Sequence, residues 1–494
     1  MSMITLTIDG VSVSVPAGST VLEAAKAAGI HIPTLCYMKG LNEIGACRLC
    51  VVDTGARALQ AACVLPVSEG MNVKTNTPAV RNARKMNLEL LLSNHDKKCL
   101  SCVRSTNCEL QKLCNEYGVE DENRYAGSMT ETQIDDKSPI VRNNAKCVLC
   151  RRCVAVCSKV QHVGVIGPVK RGFNTQIACA WGDPLADTAC INCGQCIAVC
   201  PTGALTERDD TDKVYAALAD PTKHVVVQPA PAVRAALGEE FGIPMGTSVT
   251  GKMACALRRL GFDKVFDTDF AADLTIMEEA NELIDRVKNG GVLPMITSCS
   301  PGWIKFCEHQ YPDFLPNLST CKSPQQMTGA LIKTWFAERE GIDPNNIVSV
   351  SVMPCVAKKF EINRDDEDAA GVPDVDISIT PRELARMIKM AQLNFARLPE
   401  EDFDPVMGVS TGAATIFGAT GGVLEAALRT AADVLEGTDH ANVEYTEIRG
   451  TQGFKEAVYK VAGMDVKVAV VSGLNNANEL LSKIEKGEAE YHIV

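Results

Sequence analysis

An unusual density of cysteine in the first 200 residues limits what this chain can fold into. Seventeen of its 22 cysteines precede Pro201, and most of them fall into four groups with distinct spacings. Secreted disulfide scaffolds are short, whereas this chain has 494 residues and no basic and apolar leader at its start. Metal ligation therefore explains the cysteines better than disulfide bonds, and we predict a cytoplasmic protein that carries iron-sulfur clusters.

The composition excludes two classes of partner. The net charge is -12 and the mean hydropathy is +0.02, as in a moderately acidic protein of several domains. An acidic chain offers no surface for nucleic acid, and no stretch approaches the roughly 18 apolar residues of a membrane span. We expect neither a nucleic-acid nor a membrane partner.

The first cysteine group follows a predicted β-hairpin. Apolar and polar residues alternate from Ile4 to Val15 around a turn at Asp9-Gly10, and Thr20 with Glu23 forms a capping box for a helix. The pattern predicts a β-grasp ferredoxin domain over residues 1–79 with a 2Fe-2S cluster, although a zinc site uses similar spacings. The ligands would be Cys36, Cys47, Cys50 and Cys63.

The second group has the form H-x3-C-x2-C-x5-C within a helical segment, residues 80–120. One histidine at a fixed distance completes a three-cysteine set, which predicts a small 4Fe-4S domain. A neutral imidazole supplies less charge than a thiolate, so this cluster is expected at a higher potential than its all-cysteine neighbours. The ligands would be His95, Cys99, Cys102 and Cys108. Cys114 and Cys179 fit no group and are predicted to be small buried hydrophobic residues.

The third and fourth groups are two C-x2-C-x2-C-x3-C runs within residues 138–209, which predict a ferredoxin domain with two 4Fe-4S clusters. In such domains the fourth cysteine of each run ligates the other cluster. One cluster would take Cys147, Cys150, Cys153 and Cys200. The other would take Cys190, Cys193, Cys196 and Cys157.

Apolar strand-like runs alternate with helical stretches from residue 210 onward, which predicts an α/β domain over residues 210–494. The predicted helices include 231–237 and 280–289. The predicted strands are 224–228, 291–297, 347–353, 467–472 and 490–494. The chain as a whole is then an α+β multidomain protein.

Two motifs in this domain, Thr297–Trp303 and Met353–Glu361, resemble the first two signature motifs of the iron-only (FeFe) hydrogenases. The resemblance covers essentially the whole chain and is strongest to the large subunit of multimeric NAD(P)-linked hydrogenases. It implies reversible reduction of protons to hydrogen at an H-cluster, a 4Fe-4S cubane joined through a cysteine to a two-iron subcluster. Electrons would reach it from one 2Fe-2S and three 4Fe-4S clusters.

The resemblance also implies roles for single residues. Cys299 would donate protons, Lys358 would face a cyanide of the cluster, and the proton path would continue through Glu279, Ser319 and Glu282. The pocket wall would comprise Pro231, Gln325, Met353 and Phe417. Without the resemblance, Glu279 and Glu282 would be interpreted as solvated surface charges. The three other cysteines of this domain are expected to be core thiols: Cys255, Cys307 and Cys321.

The sequence departs from the family pattern at the cubane ligands. Cys355 matches one ligand, Ser300 stands where a second cysteine is expected, and the glycine-rich motif with the last two cysteines does not occur before Val494. We therefore expect a C-terminally incomplete domain that cannot assemble a normally ligated H-cluster, because serine binds iron-sulfur clusters more weakly than cysteine.

Two functions remain open on these grounds. One is a hydrogenase; the alternative is an electron-transfer or scaffold subunit with a defective H-cluster site. A subunit of the complex I or formate dehydrogenase type would need a molybdopterin domain, against which the segment from Thr297 to Glu361 argues.

The expected partners follow from the absence of a G-x-G-x-x-G fingerprint in the sequence. NAD(P) would belong to a flavin- and NAD(P)-binding subunit of a hetero-oligomeric complex, with a small 2Fe-2S subunit and with ferredoxin as an alternative electron-transfer partner. The clusters at Cys36 and His95 are the expected docking points.

Overall fold

The computed structural model describes residues 2–120, 124–125, 132–405, 407–437, 448 and 453–494. The chain divides into two compact units. The first comprises Met1–Cys190 and Gly194–Glu207, and the second comprises Ile191–Cys193 and Arg208–Val494.

The first unit begins with the predicted hairpin. Strands β1 (Met3–Ile8) and β2 (Val11–Pro16) pair antiparallel, and β5 (Asn72–Val73) adds a parallel strand beside β1. Helix α1 (Val21–Ala27) begins at Thr20, and the capping box with Glu23 is present. Leu6, Ile8, Val21 and the small helix residues form a buried core beneath the helix. This arrangement positions the loops that carry the first four cysteines.

The two cysteine runs of the ferredoxin segment have matching backbones. Leu149 and Asn192 occupy equivalent positions with φ of 54° and 56°, and Arg151 and Gly194 follow with φ of 61° and 72°. A short helix begins directly after each of the last two residues. The sequence repeat is therefore also a structural repeat.

The remaining elements of the first unit complete three small sheets and the helices between them. They are β3 (Val51–Val52), β4 (Gln60–Ala61), α2 (Pro78–Leu92), α3 (Glu109–Glu116), β6 (Ile134–Asp135), β7 (Ile140–Asn143), α4 (Arg152–Ala155), a π-helical segment (Val156–Val160), β8 (Gly167–Val169), β9 (Gln176–Ala178), α5 (Gln195–Ala198) and β10 (Leu205–Glu207).

A parallel sheet organises the second unit. Its strands are β11 (His224–Pro229), β12 (Lys264–Val265), β13 (Ile347–Val352) and β14 (Ile377–Ile379), in the order β12-β11-β13-β14. Val225 and Val227 of the central strand face one apolar cluster, whereas Val226 faces another. Helices therefore cover both faces of the sheet, as expected for α/β folds.

A second layer is built on a long helix, α9 (Thr268–Asn289), which packs against α16 (Gly422–Glu436) and an antiparallel hairpin, β15 (Phe454–Val461) with β16 (Met464–Val471). The buried side chains of this layer are mostly aliphatic. The helix ends at Gly290, whose φ is 70°.

Other helices connect these elements in the described part of the second unit. They are α6 (Thr211–Ala219), α7 (Val233–Ala236), α8 (Thr250–Leu260), α10 (Pro301–Gln310), α11 (Pro324–Leu331), a π-helical segment (Ile332–Phe336), α12 (Ala337–Glu340), α13 (Lys358–Glu361), α14 (Pro381–Met390), α15 (Gly412–Ile416) and α17 (Leu474–Glu485).

The strand predictions at 291–297 and 490–494 are wrong. These segments form isolated bridges only, in which Ile493 pairs with Met295 and Val468, and Ile296 pairs with Leu318. Apolar residues made both segments look like strands, but they are buried by packing around single bridges rather than by a continuous ladder. The helix predicted at 231–237 is also shorter, because only Val233–Ala236 is α-helical before a 3-10 turn.

None of the helices in the described residues combines the length and the apolar character that crossing a membrane requires.

Candidate functional site

The four cysteines of the first group are gathered in the interior of the β-grasp domain, and each is buried. The Sγ atoms of Cys50 and Cys63 lie 3.3 Å apart, and the amide of Cys47 donates to Sγ of Cys36 at 3.5 Å. The hydrogen bonds shared within the two pairs raise the pKa of Cys36 and of Cys63, and they lower the pKa of Cys47 to about 6 and that of Cys50 to about 7. Thiolates at these positions are the form that binds iron.

His95 of the second group is buried at 8 % exposure, and its Nδ1 has no hydrogen-bond partner among the described residues. Burial lowers the pKa of its imidazole to about 4, so the ring is neutral and can ligate a metal. An unpartnered buried nitrogen needs an explanation, and a bound cluster would supply one. The partly exposed Cys99, Cys102 and Cys108 follow on the adjacent loop and helix start.

One cavity is lined by cysteines from both ferredoxin runs. Its lining includes Cys147, Cys150, Cys153 and Cys200, and its volume is about 30 Å³. These are the four cysteines that the interleaved pattern assigns to one cluster. Burial raises the pKa of Cys147 to about 11 and that of Cys150 to about 12, and the charge of Cys200 adds to both shifts.

The other ferredoxin set is carried by the π-helical segment, a loop and α5. Cys190 is buried, and Cys157, Cys193 and Cys196 are partly exposed. Cys193 belongs to the short segment Ile191–Cys193 that groups with the second unit. In the described part of the chain, no three or more His, Cys, Asp or Glu side chains close on a point as ligands of a single metal ion would.

The motif residues of the second unit lie where the parallel strands end. Pro231 follows β11, and Met353 and Cys355 follow β13, which places them beyond the carboxyl edge of the sheet. Ligands of open α/β sheets bind at this edge. Burial raises the pKa of the Cys355 thiol.

Lys358 is fixed beside Cys299. Its Nζ donates to the backbone oxygen of Cys299 at 3.0 Å and to the carboxylate of Glu361 at 2.8 Å. Burial raises the pKa of the Cys299 thiol to about 11, with a further rise from the charge of Glu279 and an opposing effect of Lys358. Gln325 is buried and also donates to Glu361, at 2.7 Å. The ammonium is therefore held in place at the sheet edge.

Glu279 lies on α9 at 1 % exposure, and neither carboxylate oxygen meets the geometry of a regular hydrogen bond in the described residues, although the Ser319 hydroxyl and the backbone of Ser298 lie near enough to oppose the effect of burial on its pKa. Burial raises the pKa of this carboxyl to about 7. The interpretation as a solvated surface charge is wrong for Glu279, because the helix turns this position inward. A buried carboxyl that titrates near neutrality can accept and release protons.

Glu282 lies one turn further along α9 and has the opposite environment. It accepts a hydrogen bond from the Ser319 hydroxyl at 2.9 Å and one from Arg286 at 2.6 Å. Burial alone would raise its pKa, but these hydrogen bonds outweigh burial and lower it. Two carboxylates on one helix thus have pKa values shifted in opposite directions, a common arrangement in proton transfer.

The comparisons with known proteins bear on what this arrangement does. Residues 223–494 match the model described as "Iron only hydrogenase large subunit, C-terminal domain". The chain belongs to the iron-only hydrogenase family. This finding confirms the predicted family, and together with the matches to the iron-sulfur domains it confirms the fold class.

Three further family models match the part of the chain that precedes the hydrogenase domain. Residues 1–78 match a 2Fe-2S iron-sulfur cluster binding domain, and residues 84–123 match the NADH-ubiquinone oxidoreductase-G iron-sulfur binding region. Residues 138–206 match the ferredoxin-like domain of NADH-quinone oxidoreductase subunit 3. The iron-only hydrogenase domain is thus preceded by iron-sulfur domains of the kind that carry electrons.

Similar curated proteins cover the whole chain. It is 52 % identical over 506 residues to NADP-reducing hydrogenase subunit HndD of Solidesulfovibrio fructosivorans, covering 100 % of this chain and 86 % of that protein. It is 41 % identical to iron hydrogenase 1 of Clostridium pasteurianum, with the same coverage. A solved structure of the [FeFe]-hydrogenase HydA1 from Chlamydomonas reinhardtii superposes with a TM-score of 0.52 at 42 % identity, over 57 % of this chain and 80 % of that one.

The other residues predicted for the hydrogenase pocket are dispersed over two cores. Met353 is buried in the apolar cluster of the sheet. Phe417 follows α15 and packs against the cluster around Leu424 and Leu428. Ser300 is exposed at the start of α10, and its hydroxyl caps no backbone amide.

Sequence reasoning missed Arg286, which fixes Glu282 and donates to the carbonyl oxygens of Val292, Asn317 and Leu318. The i,i+4 spacing from Glu282 could have indicated it. Reasoning also missed the role of Ser298, whose hydroxyl donates to the carbonyl oxygen of Cys321 at 2.9 Å. No sequence pattern predicts that contact.

Proposed function

We propose that this chain is the hydrogen-activating subunit of a multimeric NAD(P)-linked hydrogenase, in which N-terminal clusters exchange electrons with an H-cluster in the second unit. The observation that carries the proposal is the burial of Glu279, which is 1 % exposed and whose pKa burial raises to about 7 against the opposing effects of Ser319 and Ser298. A buried carboxyl costs folding free energy, so its retention is best explained by a proton that it must carry.

The chain's own residues support a proton route between the interior and the protein surface. Cys299 lies next to Lys358, and the charge of Glu279 acts on its thiol. Ser319 then contacts Glu282, which Arg286 holds at the outer end. Cys299, Glu279, Ser319 and Glu282 can each carry an exchangeable proton. The opposite pKa shifts of the two carboxyls favour proton transfer between them through the hydroxyl of Ser319.

The H-cluster, when bound, supplies the metal site at which protons and electrons combine to give hydrogen. Cys355 would ligate it and Lys358 would hold a charge-balancing ammonium beside it, with Gln325, Met353, Phe417 and Pro231 as pocket residues. Ser300 offers an oxygen in place of the thiol that the family pattern expects, so hydrogen production by this chain would overturn the expectation that its H-cluster cannot be assembled.

The electron route is proposed to use four clusters in the first part of the chain. The fit is supported by the buried thiols around Cys50, by the unpartnered nitrogen of His95 and by the cavity that Cys200 shares with the first ferredoxin run. One 2Fe-2S and three 4Fe-4S clusters would be held by the residue sets that the spacings predict.

The partners are proposed on the similarity to a protein named as a subunit of an NADP-reducing hydrogenase. A flavin- and NAD(P)-binding subunit and a small 2Fe-2S subunit would complete the complex, with ferredoxin as an alternative electron-transfer partner. Cell fractionation tests the predicted cytoplasmic location.

The test is to express the chain with the hydrogenase maturation machinery, purify it without oxygen, and measure iron content and hydrogen evolution from reduced methyl viologen. The proposal expects about 14 irons from the relay, about six more from the active site, and hydrogen production. A chain that holds only the relay iron and produces no hydrogen would instead be an electron-transfer subunit.

A further inference from the structure

The segment Cys200–Gly203 lies between two of the proposed clusters, and the following inference rests on the proposed electron route. The carbonyl oxygen of Pro201 accepts from the backbone amide of Glu109 at 3.1 Å and contacts Sγ of Cys108 at 3.7 Å. The guanidinium of Arg104 donates to the carbonyl oxygen of Cys200 at 3.2 Å. The histidine-cysteine group is therefore bound directly to this segment.

The other side of the segment reaches the ferredoxin cavity. Cys200 lines that cavity, and the hydroxyl of Thr202 donates to the carbonyl oxygen of Lys146, next to Cys147. Only the backbone of Pro201 and Cys200 separates the contact at Cys108 from the sulfur atom of Cys200. A few covalent bonds and one contact thus join a ligand of one cluster to a ligand of the other.

Gly203 allows this close approach. A Cβ atom built on Gly203 would lie 2.6 Å from Sγ of Cys102, a separation that real Cβ contacts essentially never show. Positive φ does not explain the glycine, because Gly203 is not among the residues with φ above zero. Glycine is therefore needed at position 203 because a side chain would overlap the sulfur atom of Cys102, a predicted cluster ligand.

We propose that Gly203 is a positioning residue for electron transfer, which lets the histidine-cysteine cluster sit against the Cys200–Gly203 segment and couple to the cluster of Cys147, Cys150, Cys153 and Cys200. The thiol of Cys102 can rotate away from a new methyl group while it is free. Once iron fixes its sulfur, it cannot. A methyl group at this position therefore opposes cluster insertion rather than folding.

The test compares Gly203→Ala with Gly167→Ala in the full chain. Gly167 belongs to the same unit, also lacks a positive φ, and would meet nothing within 4 Å of its new Cβ. Both variants are reconstituted without oxygen, and iron content and low-temperature electron paramagnetic resonance (EPR) spectra are recorded after stepwise reduction. We expect Gly167→Ala to match the unsubstituted chain.

Gly203→Ala is expected to lose the iron of one 4Fe-4S cluster, about four atoms per chain, together with one EPR signal, while the 2Fe-2S signal is unchanged. Iron content and spectra equal to those of Gly167→Ala would overturn the inference. If the unsubstituted chain itself lacks relay iron, the proposed function fails instead, so the two failures are distinguishable.

A second variant guards against a fold defect in Gly203→Ala. Arg104→Met removes the hydrogen bond to Cys200 without adding volume at Gly203. It is expected to keep all its iron and to show narrower EPR lines, because the magnetic interaction between the two reduced clusters weakens. Line widths identical to those of the unsubstituted chain would refute the coupling through this segment.

Discussion

Replacing Glu279 with glutamine should stabilise the protein and abolish its activity, and the size of the first effect follows from the pKa of the buried carboxyl. Burial raises this pKa to about 7 in the folded chain, against an ordinary value of 4.5. Folding therefore favours the protonated form, so the carboxyl does not affect stability below about pH 4.5, destabilises the fold increasingly between about pH 4.5 and pH 7, and exerts its full effect above pH 7.

The difference of pKa corresponds to about 3 kcal/mol once the carboxyl is fully ionised. Glutamine has nearly the same shape and does not titrate. Between pH 5 and pH 8 the advantage of Glu279→Gln in unfolding free energy should grow by about 2–3 kcal/mol. For a domain of this size that equals about 3–5 °C in melting temperature.

The assay is differential scanning calorimetry of the full chain at several pH values, with hydrogen evolution measured in parallel. The matched control is Glu278→Gln, which makes the same chemical change at the adjacent exposed position of α9. We expect the control to keep activity and the pH dependence of the unsubstituted chain. Glu279→Gln should lose activity by roughly 100-fold or more.

Equal pH dependence of the melting temperature in Glu279→Gln and the unsubstituted chain would refute the reasoning. It would mean that the carboxyl of Glu279 is solvated or paired in solution and that burial does not raise its pKa. If Glu279→Gln lost hydrogen evolution without changing the pH dependence of the melting temperature, Glu279 would be needed for activity but not as a proton carrier with a raised pKa.

Other substitutions test the remaining parts of the structure. Lys359→Met should destabilise the protein by about 3–5 kcal/mol in calorimetry, because Lys359 is 1 % exposed and its loss leaves the buried carboxylate of Glu383 without its cation. Lys389→Met at an exposed ion pair should cost at most about 1 kcal/mol. Cys108→Ala should lower the iron content by about four atoms per chain, while Cys114→Ala should leave it unchanged. Ser300→Cys should raise the iron retained by the hydrogenase domain during gel filtration, since a thiolate binds iron more strongly than a hydroxyl; unchanged retention would show that position 300 is not a ligand.

Local sequence patterns were sufficient to predict the secondary structure at the start of the N-terminal domain. The alternation from Ile4 to Val15 and the capping box of Thr20 with Glu23 specify the hairpin and helix without help from distant residues. The same holds for β11, with its run of three valines, and for β13, in which valine alternates with serine; both strands are buried on both faces. Where periodicity and burial agree over several residues, sequence reasoning succeeds.

The failures have a common physical origin in contacts between distant segments. Residues 291–297 are as apolar as a strand, but only two of them form bridges, and their partners Leu318 and Ile493 are remote in sequence. The burial of Glu279 also depends on what surrounds α9, and no local pattern reports that. The resemblance indicated the residue, and the structure supplied the reason.

The placement of Glu279, Glu282 and Arg286 on one helix has a consequence for how this protein can change in evolution. Substitutions on α9 alter one group at a time, but an inserted or deleted residue turns everything beyond it by about 100°. A single insertion between Glu279 and Glu282 would point the second carboxylate and the arginine away from Ser319. Length variation should therefore be confined to the loops on either side of this helix, even in relatives whose sequences have otherwise diverged widely.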